Sequence, residues 1–269
     1  MNPRTVTAIV VTYNSGRFVD RILEDLLAMD HVDRVVVVDN NSSDDSTARV
    51  RSRIVREKVT LIESASNVGF GAAVNRAVNE ECQHSEFIAV VNPDVGLGAD
   101  VFDRLLDQFD DDQLGVIGVQ LARSDGTPVS SARSFPSRST ILRRTAVEVE
   151  HGGRTISVDW LCGAFMLWRH DAFREVHGFS SDYFLYYEDV DICRRARELG
   201  WDVVIAGSVS AVHDQGHGAK TSPALLRANR RSRRRYARRW LGRSGWGAAL
   251  AADVLEQAGT TLRRIGLRR

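Results

Sequence analysis

The sequence predicts an α/β protein built on a mostly parallel, doubly wound sheet flanked by helices. Three observations carry this. Two continuous apolar runs, Val35-Val36-Val37-Val38 and Phe87-Ile88-Ala89-Val90-Val91, have the length of strands buried on both faces. Each run stops at a turn that delivers a carboxylate, Asp39 in one case and Asn92-Pro93-Asp94 in the other. Strand-like runs also alternate four times with apolar residues at helical spacing, the rhythm of βα units.

Taken in order, Thr5–Val11 is a β-rich run ending at Thr12-Tyr13-Asn14-Ser15-Gly16. Phe18, Val19, Ile22, Leu23, Leu26 and Leu27 then fall on one helical face. The second unit is a strand over Arg34–Val38, a polar loop from Asp39 to Thr47 and a short helix to Ile54. The third is a strand over Val59–Glu63, the loop Asn67-Val68-Gly69-Phe70-Gly71 and a helix over Ala72–Cys82. The fourth is the Phe87–Val91 strand, the Asn-Pro-Asp turn and a helix over Val101–Phe109. Gly115–Leu121 reads as another strand, and Asp125-Gly126 supplies the positive φ angles of a hairpin turn. Ser130–Gly153 is polar and aperiodic, an irregular excursion expected to form a mobile loop over the site. Strands return at Ile156–Trp160 and Ala164–Trp168; Glu188-Asp189-Val190-Asp191 opens a helix over Ile192–Leu199 that Gly200 stops. Trp201–Ala206 is the last strand, and His213 and His217 follow it.

The 269 residues carry a formal charge of +1, unevenly spread: nine arginines and no acid lie between Arg227 and Arg243. This stretch is helical in propensity, so the chain divides into 1–220, with halves 1–121 and 122–220, and a basic helical extension over 221–269. Cys82, Cys162 and Cys193 are odd in number and lack metal-ligand spacing, as expected of buried thiols in a reducing compartment. The opening residues run straight into a strand with no signal peptide, and Asp253 and Glu256 interrupt the most apolar stretch. A cytoplasmic protein is expected, resting at most on the inner face of a membrane.

In open α/β sheets ligands bind at the carboxyl ends of the strands. One aspartate there commonly caps the next helix; Asp39 and Asp94 in register make a crevice that would hold a divalent cation and a diphosphate. Gly69-Phe70-Gly71 lacks the third glycine of the dinucleotide fingerprint, Val74 standing in its place, and follows the third strand, which excludes a dehydrogenase reading. Asp191 has Arg195 one turn on as a partner. Glu188 and Asp189 follow Tyr183-Phe184-Leu185-Tyr186-Tyr187, and a carboxylate against such an apolar wall makes a general base for a sugar hydroxyl. His213 is a candidate second metal ligand beside Asp94, and His217 a weaker one.

The ordered set Val11–Asn14, Val38–Asp44, Asn67–Gly71 with Asn75, Asn92–Asp94, Trp160–Ala164, Tyr187–Asp191 and His213 with Gly216 resembles the inverting glycosyltransferases of family 2, which have the GT-A fold. Within them it is most similar to a bacterial rhamnosyltransferase-like branch, over roughly residues 5–220. The resemblance implies that Thr12, Tyr13, Asn14 and Asp39 meet the nucleotide, that Asn67, Gly71, Asn75 and Asn92 border the donor, and that Asp94 with His213 holds Mg²⁺ or Mn²⁺. Asp189 would be the base with Glu188 beside it. Asn92 replaces the first aspartate of the family's usual Asp-x-Asp, leaving fewer carboxylates for the metal.

The implied donor is a nucleoside-diphosphate sugar, dTDP-rhamnose ahead of UDP- or GDP-sugars, and the implied acceptor a lipid-linked or other saccharide. The arginine run, interleaved with Leu225, Leu226, Tyr236, Trp240 and Leu241, suits an anionic membrane surface. Nucleic-acid binding is the competing use of that run and is not expected; a non-catalytic sugar-nucleotide binder is the other alternative.

Overall fold

The computed structural model describes residues 4–54, 58–213 and 222–264, with 258–264 as backbone alone. His217 and Gly216 lie outside the described residues. In chain order the elements are β1 (Val6–Thr12), α1 (Gly16–Leu27), β2 (Val32–Asp39), α2 (Ser46–Arg53), β3 (Val59–Glu63), α3 (Phe70–Glu81), β4 (Phe87–Val91), β5 (Val95–Gly96) and α4 (Val101–Leu106). There follow β6 (Leu114–Ala122), β7 (Pro128–Val129), β8 (Ala132–Arg133), α5 (Arg138–Arg143), β9 (Thr155–Ser157), β10 (Trp160–Leu161) and β11 (Phe165–Arg169). The chain ends in α6 (His170–Glu175), α7 (Glu188–Glu198), β12 (Asp202–His213) and α8 (Pro223–Arg264).

The main sheet runs β3-β2-β1-β4-β11-β6-β12-β5. Strands β3, β2, β1 and β4 pair in parallel, as do β6 and β12, while β11 lies antiparallel between β4 and β6. Every residue of β1 and β4 is buried, in keeping with the unbroken apolar run of β4 and the mainly apolar run of β1. Successive side chains point to opposite faces and fill two cores. On one face Ile9, Val36, Ile88 and Val90 meet α3, α6, α7 and α8 through Val74, Phe173, Ile192 and Tyr236. On the other, Ala8, Val10, Val35 and Val37 meet α1 and α4 through Val19, Leu23, Leu26, Phe102 and Leu105. The helical stripe of α1 supplies four fully buried aliphatic side chains, each contributing about 1.5–3 kcal/mol.

After β1 the chain moves outward to β2 and β3, then returns to place β4 on the other side of β1. The crevice between the carboxyl ends of β1 and β4 is therefore the switch point where such sheets bind ligands. Thr12 pairs in register with Asp39 there.

Two expectations are corrected. The excursion over 130–153 is not wholly irregular: it holds β8 and α5, whose N-terminus is a reciprocal Ser137–Thr140 capping box. The last strand does not stop at Ala206 either. Register slips against β6 between Ala206 and Ser210, and β12 continues until His213 pairs with Val95.

The basic extension is helical, as its propensity requires, but it folds back on itself. Gly242 has φ 69° and ψ −160°, outside the helical region, so α8 is a hairpin with arms 223–241 and 243–264. The second arm returns Asp253 and Glu256 to the first, where they pair with Arg230, Arg233 and Arg234. Tyr236 and Ala237 are buried against the sheet domain. Buried Asp191 receives Arg195 at 2.8 Å, as its spacing predicts, and also the Trp240 indole at 2.8 Å from the first arm.

Candidate active site

The donor-side crevice, about 250 Å³, is lined by Tyr13, Asn40, Asn67, Phe70, Asp94 and Phe184 among others. Its floor is a hydrogen-bonded corner. The Thr12 hydroxyl donates to one Asp39 oxygen at 2.9 Å, and the Ser42 amide donates to the other at 2.8 Å. Asp39 is thus buried with both oxygens engaged, and it holds the corner rather than lining the crevice. Asn14, at φ 53°, accepts from the Ser43 amide at 2.8 Å and stitches the first loop to the second.

Asn67 accepts from the Gly69 amide at 2.9 Å and turns the third loop into the crevice. Gly69 has φ 90°, and a Cβ there would stand 2.3 Å from the Phe184 carbonyl oxygen, so only glycine allows this approach. Gly71 and Asn75 are placed elsewhere. A Cβ on Gly71 would meet the Phe179 side chain at 2.6 Å, so it serves the packing of α3. The Asn75 amide clamps the Phe179 backbone from both sides, at 2.7 and 2.8 Å, and lines a separate hollow with Phe173 and His177. Sequence reasoning missed Asn40, Phe70, Phe184 and Leu185 as crevice residues. Asn40 had a signal in the polar run after Asp39: its amide donates to the Gly69 carbonyl at 3.0 Å and so joins the second loop to the third.

The Asn-Pro-Asp turn brings Asp94 to the crevice, and the extended β12 brings His213 Nε2 within 3.4 Å of its carboxylate. His213 is 6% exposed, and its Nδ1 has no hydrogen-bond partner among the described residues. No cluster of three or more His, Cys, Asp or Glu side chains lies together among the described residues. One carboxylate and one imidazole suit a divalent cation that takes its remaining oxygens from a bound diphosphate.

The second half of the site opens from α7. Tyr186 and Tyr187 stand at φ 69° and 68°, a left-handed pair that turns the chain sharply into α7. That strain, of order 1–3 kcal/mol per residue, is held by the first arm of α8. There the Ser232 hydroxyl donates to the Leu185 carbonyl at 2.8 Å, and the Tyr236 ring lies 5.3 Å from that of Tyr187.

Glu188 and Asp189 follow. Asp189 accepts from the amides of Gly163 at 3.1 Å and Val190 at 2.9 Å. Glu188 is 5% exposed, and its Oε2 lacks a hydrogen-bond partner among the described residues. Burial, then the charge of Asp189, pushes the Glu188 carboxyl up to about 8. Burial also raises Asp189, while the Gly163 and Val190 amides and then Arg133 favour its charged form. Burial thus pushes both carboxyls toward their neutral forms, and the two titrate as a pair.

Gly163 precedes Ala164, whose carbonyl accepts from the Asn92 amide at 2.9 Å. One short run of backbone thus connects the carboxylate pair to the Asn-Pro-Asp turn. Beyond the pair lies a cavity of about 390 Å³ lined by Arg133, Arg144, Trp160, Tyr187, Asp189 and Arg233 among others. The excursion and the first arm of α8 supply its far walls.

The sequence matches the family described as "Glycosyltransferase like family 2" over residues 3–237, a span that includes most of the first arm of α8. The chain is a family-2 glycosyltransferase. It is 30% identical over 245 residues to N-acetylglucosaminyl-diphospho-decaprenol L-rhamnosyltransferase of Mycobacterium tuberculosis, covering 80% of this chain and 78% of that one. Rhamnosyltransferase WbbL of Escherichia coli is 26% identical over 227 residues, with 79% and 84% covered.

Solved structures share the fold of the transferase. A mannosyltransferase from Pyrobaculum calidifontis, in complex with GDP-Man and Mn2+, superposes with a TM-score of 0.60 at 18% identity, covering 96% of this chain and 76% of that one. GalNAc-T7 with UDP, GalNAc and Mn2+ gives 0.67 at 11% identity, covering 90% and 52%. The sheet of this transferase is accordingly the GT-A sheet.

Proposed function

We propose that the transferase moves a deoxyhexose, rhamnose first among the candidates, from a nucleoside diphosphate to a saccharide hydroxyl on a lipid carrier, with inversion at the anomeric carbon. The observation that carries this reading is the Glu188–Asp189 pair, which lines the second cavity and is joined through Gly163 and Ala164 to the Asn92–Asp94 turn of the donor-side crevice. The names of the mycobacterial and Escherichia coli relatives favour a rhamnosyl donor, and the first favours an acceptor on a prenyl diphosphate.

The donor would lie over the Thr12–Asp39 corner with its base near Tyr13 and Asn14, and its diphosphate toward Asp94. Asp94 and His213 are the residues that would hold Mg²⁺ or Mn²⁺; bound there, the ion would stabilise negative charge on the departing diphosphate. Mn2+ in two structural neighbours supports that assignment. The acceptor hydroxyl, placed in the second cavity, loses its proton to Asp189 as its oxygen attacks the anomeric carbon. Burial raises the basicity of Asp189, and the Gly163 and Val190 amides fix its orientation. Glu188, protonated beside it, keeps a second negative charge out of the pocket.

The surface near the second cavity supports location at a membrane. Arg227, Arg231, Arg238 and Arg243 make no ion pair among the described residues, and Leu225 and Leu226 are exposed one turn before cavity-lining Asn229. No helix among the described residues is long and apolar enough to cross a membrane.

The test is transfer from dTDP-, UDP- and GDP-sugars to a prenyl-diphosphate-linked saccharide by wild type and Asp189→Asn. The variant should lose about 10²–10⁴ in kcat while donor still raises its melting temperature. Turnover within tenfold of wild type removes Asp189 as the base.

A further inference from the structure

The second cavity has walls of opposite character. One carries Glu188 and Asp189. The other, built from the end of α5 and the first arm of α8, carries Arg144, Asn229 and Arg233. This second wall is rich in donors, two of them without acceptors among the described residues and the third only partly engaged. Arg144 is exposed, stands at φ 56° as the C-cap of α5, and makes no ion pair among the described residues. The Asn229 amide has no hydrogen bond among them either. Arg233 is buried, with its side chain 8% exposed; one terminal nitrogen, Nη2, pairs with both Asp253 and Glu256, yet its Nε–H has no partner among the described residues. A buried N–H left unpaired costs on the order of 1–3 kcal/mol, a cost that an acceptor entering the cavity beside it would remove.

We infer that this wall is a subsite for the phosphate of the acceptor, with Arg144, Asn229 and Arg233 donating to its oxygens. It rests on the acceptor-side reading proposed above and deepens it. A molecule that fits both walls is anionic at one end and carries a hydroxyl at the other, which describes a glycosyl phosphate or diphosphate. Arg144 and Arg233 come from segments far apart in sequence, and a guanidinium matches phosphate oxygens in a fork. The cavity, about 390 Å³, has the size of a small-molecule site. The C-terminal hairpin therefore becomes part of the active site. It supplies two of the three donors, and its return arm fixes Arg233 through Asp253 and Glu256. Anchoring the phosphate on this wall would direct the sugar hydroxyl toward Asp189.

The experiment compares two acceptors with the same saccharide, one on a short prenyl diphosphate and one on a neutral alkyl chain. Wild type, Arg144→Ala, Asn229→Ala, Arg144→Lys and the control Arg143→Ala are assayed. Arg143 is the exposed neighbour on α5 and does not line the cavity. For the diphosphate acceptor, Arg144→Ala and Asn229→Ala should each raise KM by about ten- to a hundredfold, with Arg144→Lys between them and wild type. The donor KM should not move, Arg143→Ala should match wild type, and the differences should vanish on the neutral acceptor. Equal KM increases on both acceptors, or no preference of wild type for the diphosphate, overturn the subsite.

Calorimetry of the glycosyl diphosphate alone with the unliganded protein separates this from the proposed transfer. Binding that Arg144→Ala abolishes supports the subsite even where no donor is turned over. Transfer that proceeds with acceptor binding indifferent to Arg144 refutes the subsite and leaves the transferase reading standing.

Discussion

Replacing Glu188 with glutamine should make the protein more stable, and increasingly so as pH rises. The side chain is 5% exposed, and burial beside Asp189 lifts its carboxyl from 4.5 to about 8. Between those values the unfolded chain has released the proton while the folded chain keeps it. The folded state then binds more protons, and stability falls with rising pH, by about 1.4 kcal/mol per unit for one fully shifted group. The contribution is intact below the unfolded value and is lost as pH climbs through the folded one. Across the interval from 4.5 to about 8 the loss has an upper bound of about 5 kcal/mol. The two carboxyls titrate as a pair, so the slope is shared between them. Glutamine is isosteric and cannot ionise, so Glu188→Gln lacks the decline. Urea unfolding of both proteins at half-unit steps from pH 5 to 8.5 measures the difference directly. The gap should widen by several kcal/mol toward alkaline pH. A constant gap would mean that Glu188 carries its charge in the folded protein, refuting the division of labour between Glu188 and Asp189.

Three further outcomes are expected. Nucleoside diphosphates should raise the melting temperature of wild type more with Mn²⁺ than without, and Asp94→Ala should remove the metal-dependent part alone; an unchanged increment would take Asp94 out of the metal site. Asp191→Ala should cost about 3–5 kcal/mol in denaturant unfolding, because Arg195 and the Trp240 indole lose a buried acceptor that ties α8 to α7; a loss below 1 kcal/mol would show the contact to be dispensable. Anionic vesicles should co-sediment the protein at low ionic strength and release it with salt, since each free arginine at such a surface contributes about 1 kcal/mol; charge reversal at Arg227 and Arg231 should abolish binding, and its persistence would refute that surface.

What the sequence by itself determined was everything with a local cause. The apolar runs within β1, β2 and β4, short and closed by turn residues, read as strands buried on both faces, and the spacing of Val19, Ile22, Leu23 and Leu26 reads as one buried helical face. Pro93 ends its strand wherever that strand lies, so Asp94 had to reach a carboxyl edge. Glu188 and Asp189 follow an aromatic run, and their apolar surroundings were legible for that reason.

The tertiary structure alone decided the rest, because those features depend on partners a hundred residues away or on competing uses of one side chain. Nothing near Ala206 announces that β12 slips past β6 and runs on to bring His213 to Asp94. Asn75 carries a polar amide suited to a donor site, yet the Phe179 backbone, 104 residues on, engages both of its ends. The arginine run reads as a uniform basic face until Gly242 reverses the chain and Asp253 and Glu256 return to neutralise part of it. That reversal buries Arg233 and places it against the second cavity, so a stretch that resembled an appendage walls the proposed acceptor site. Periodicity records which face of an element is buried; it holds no record of what covers that face.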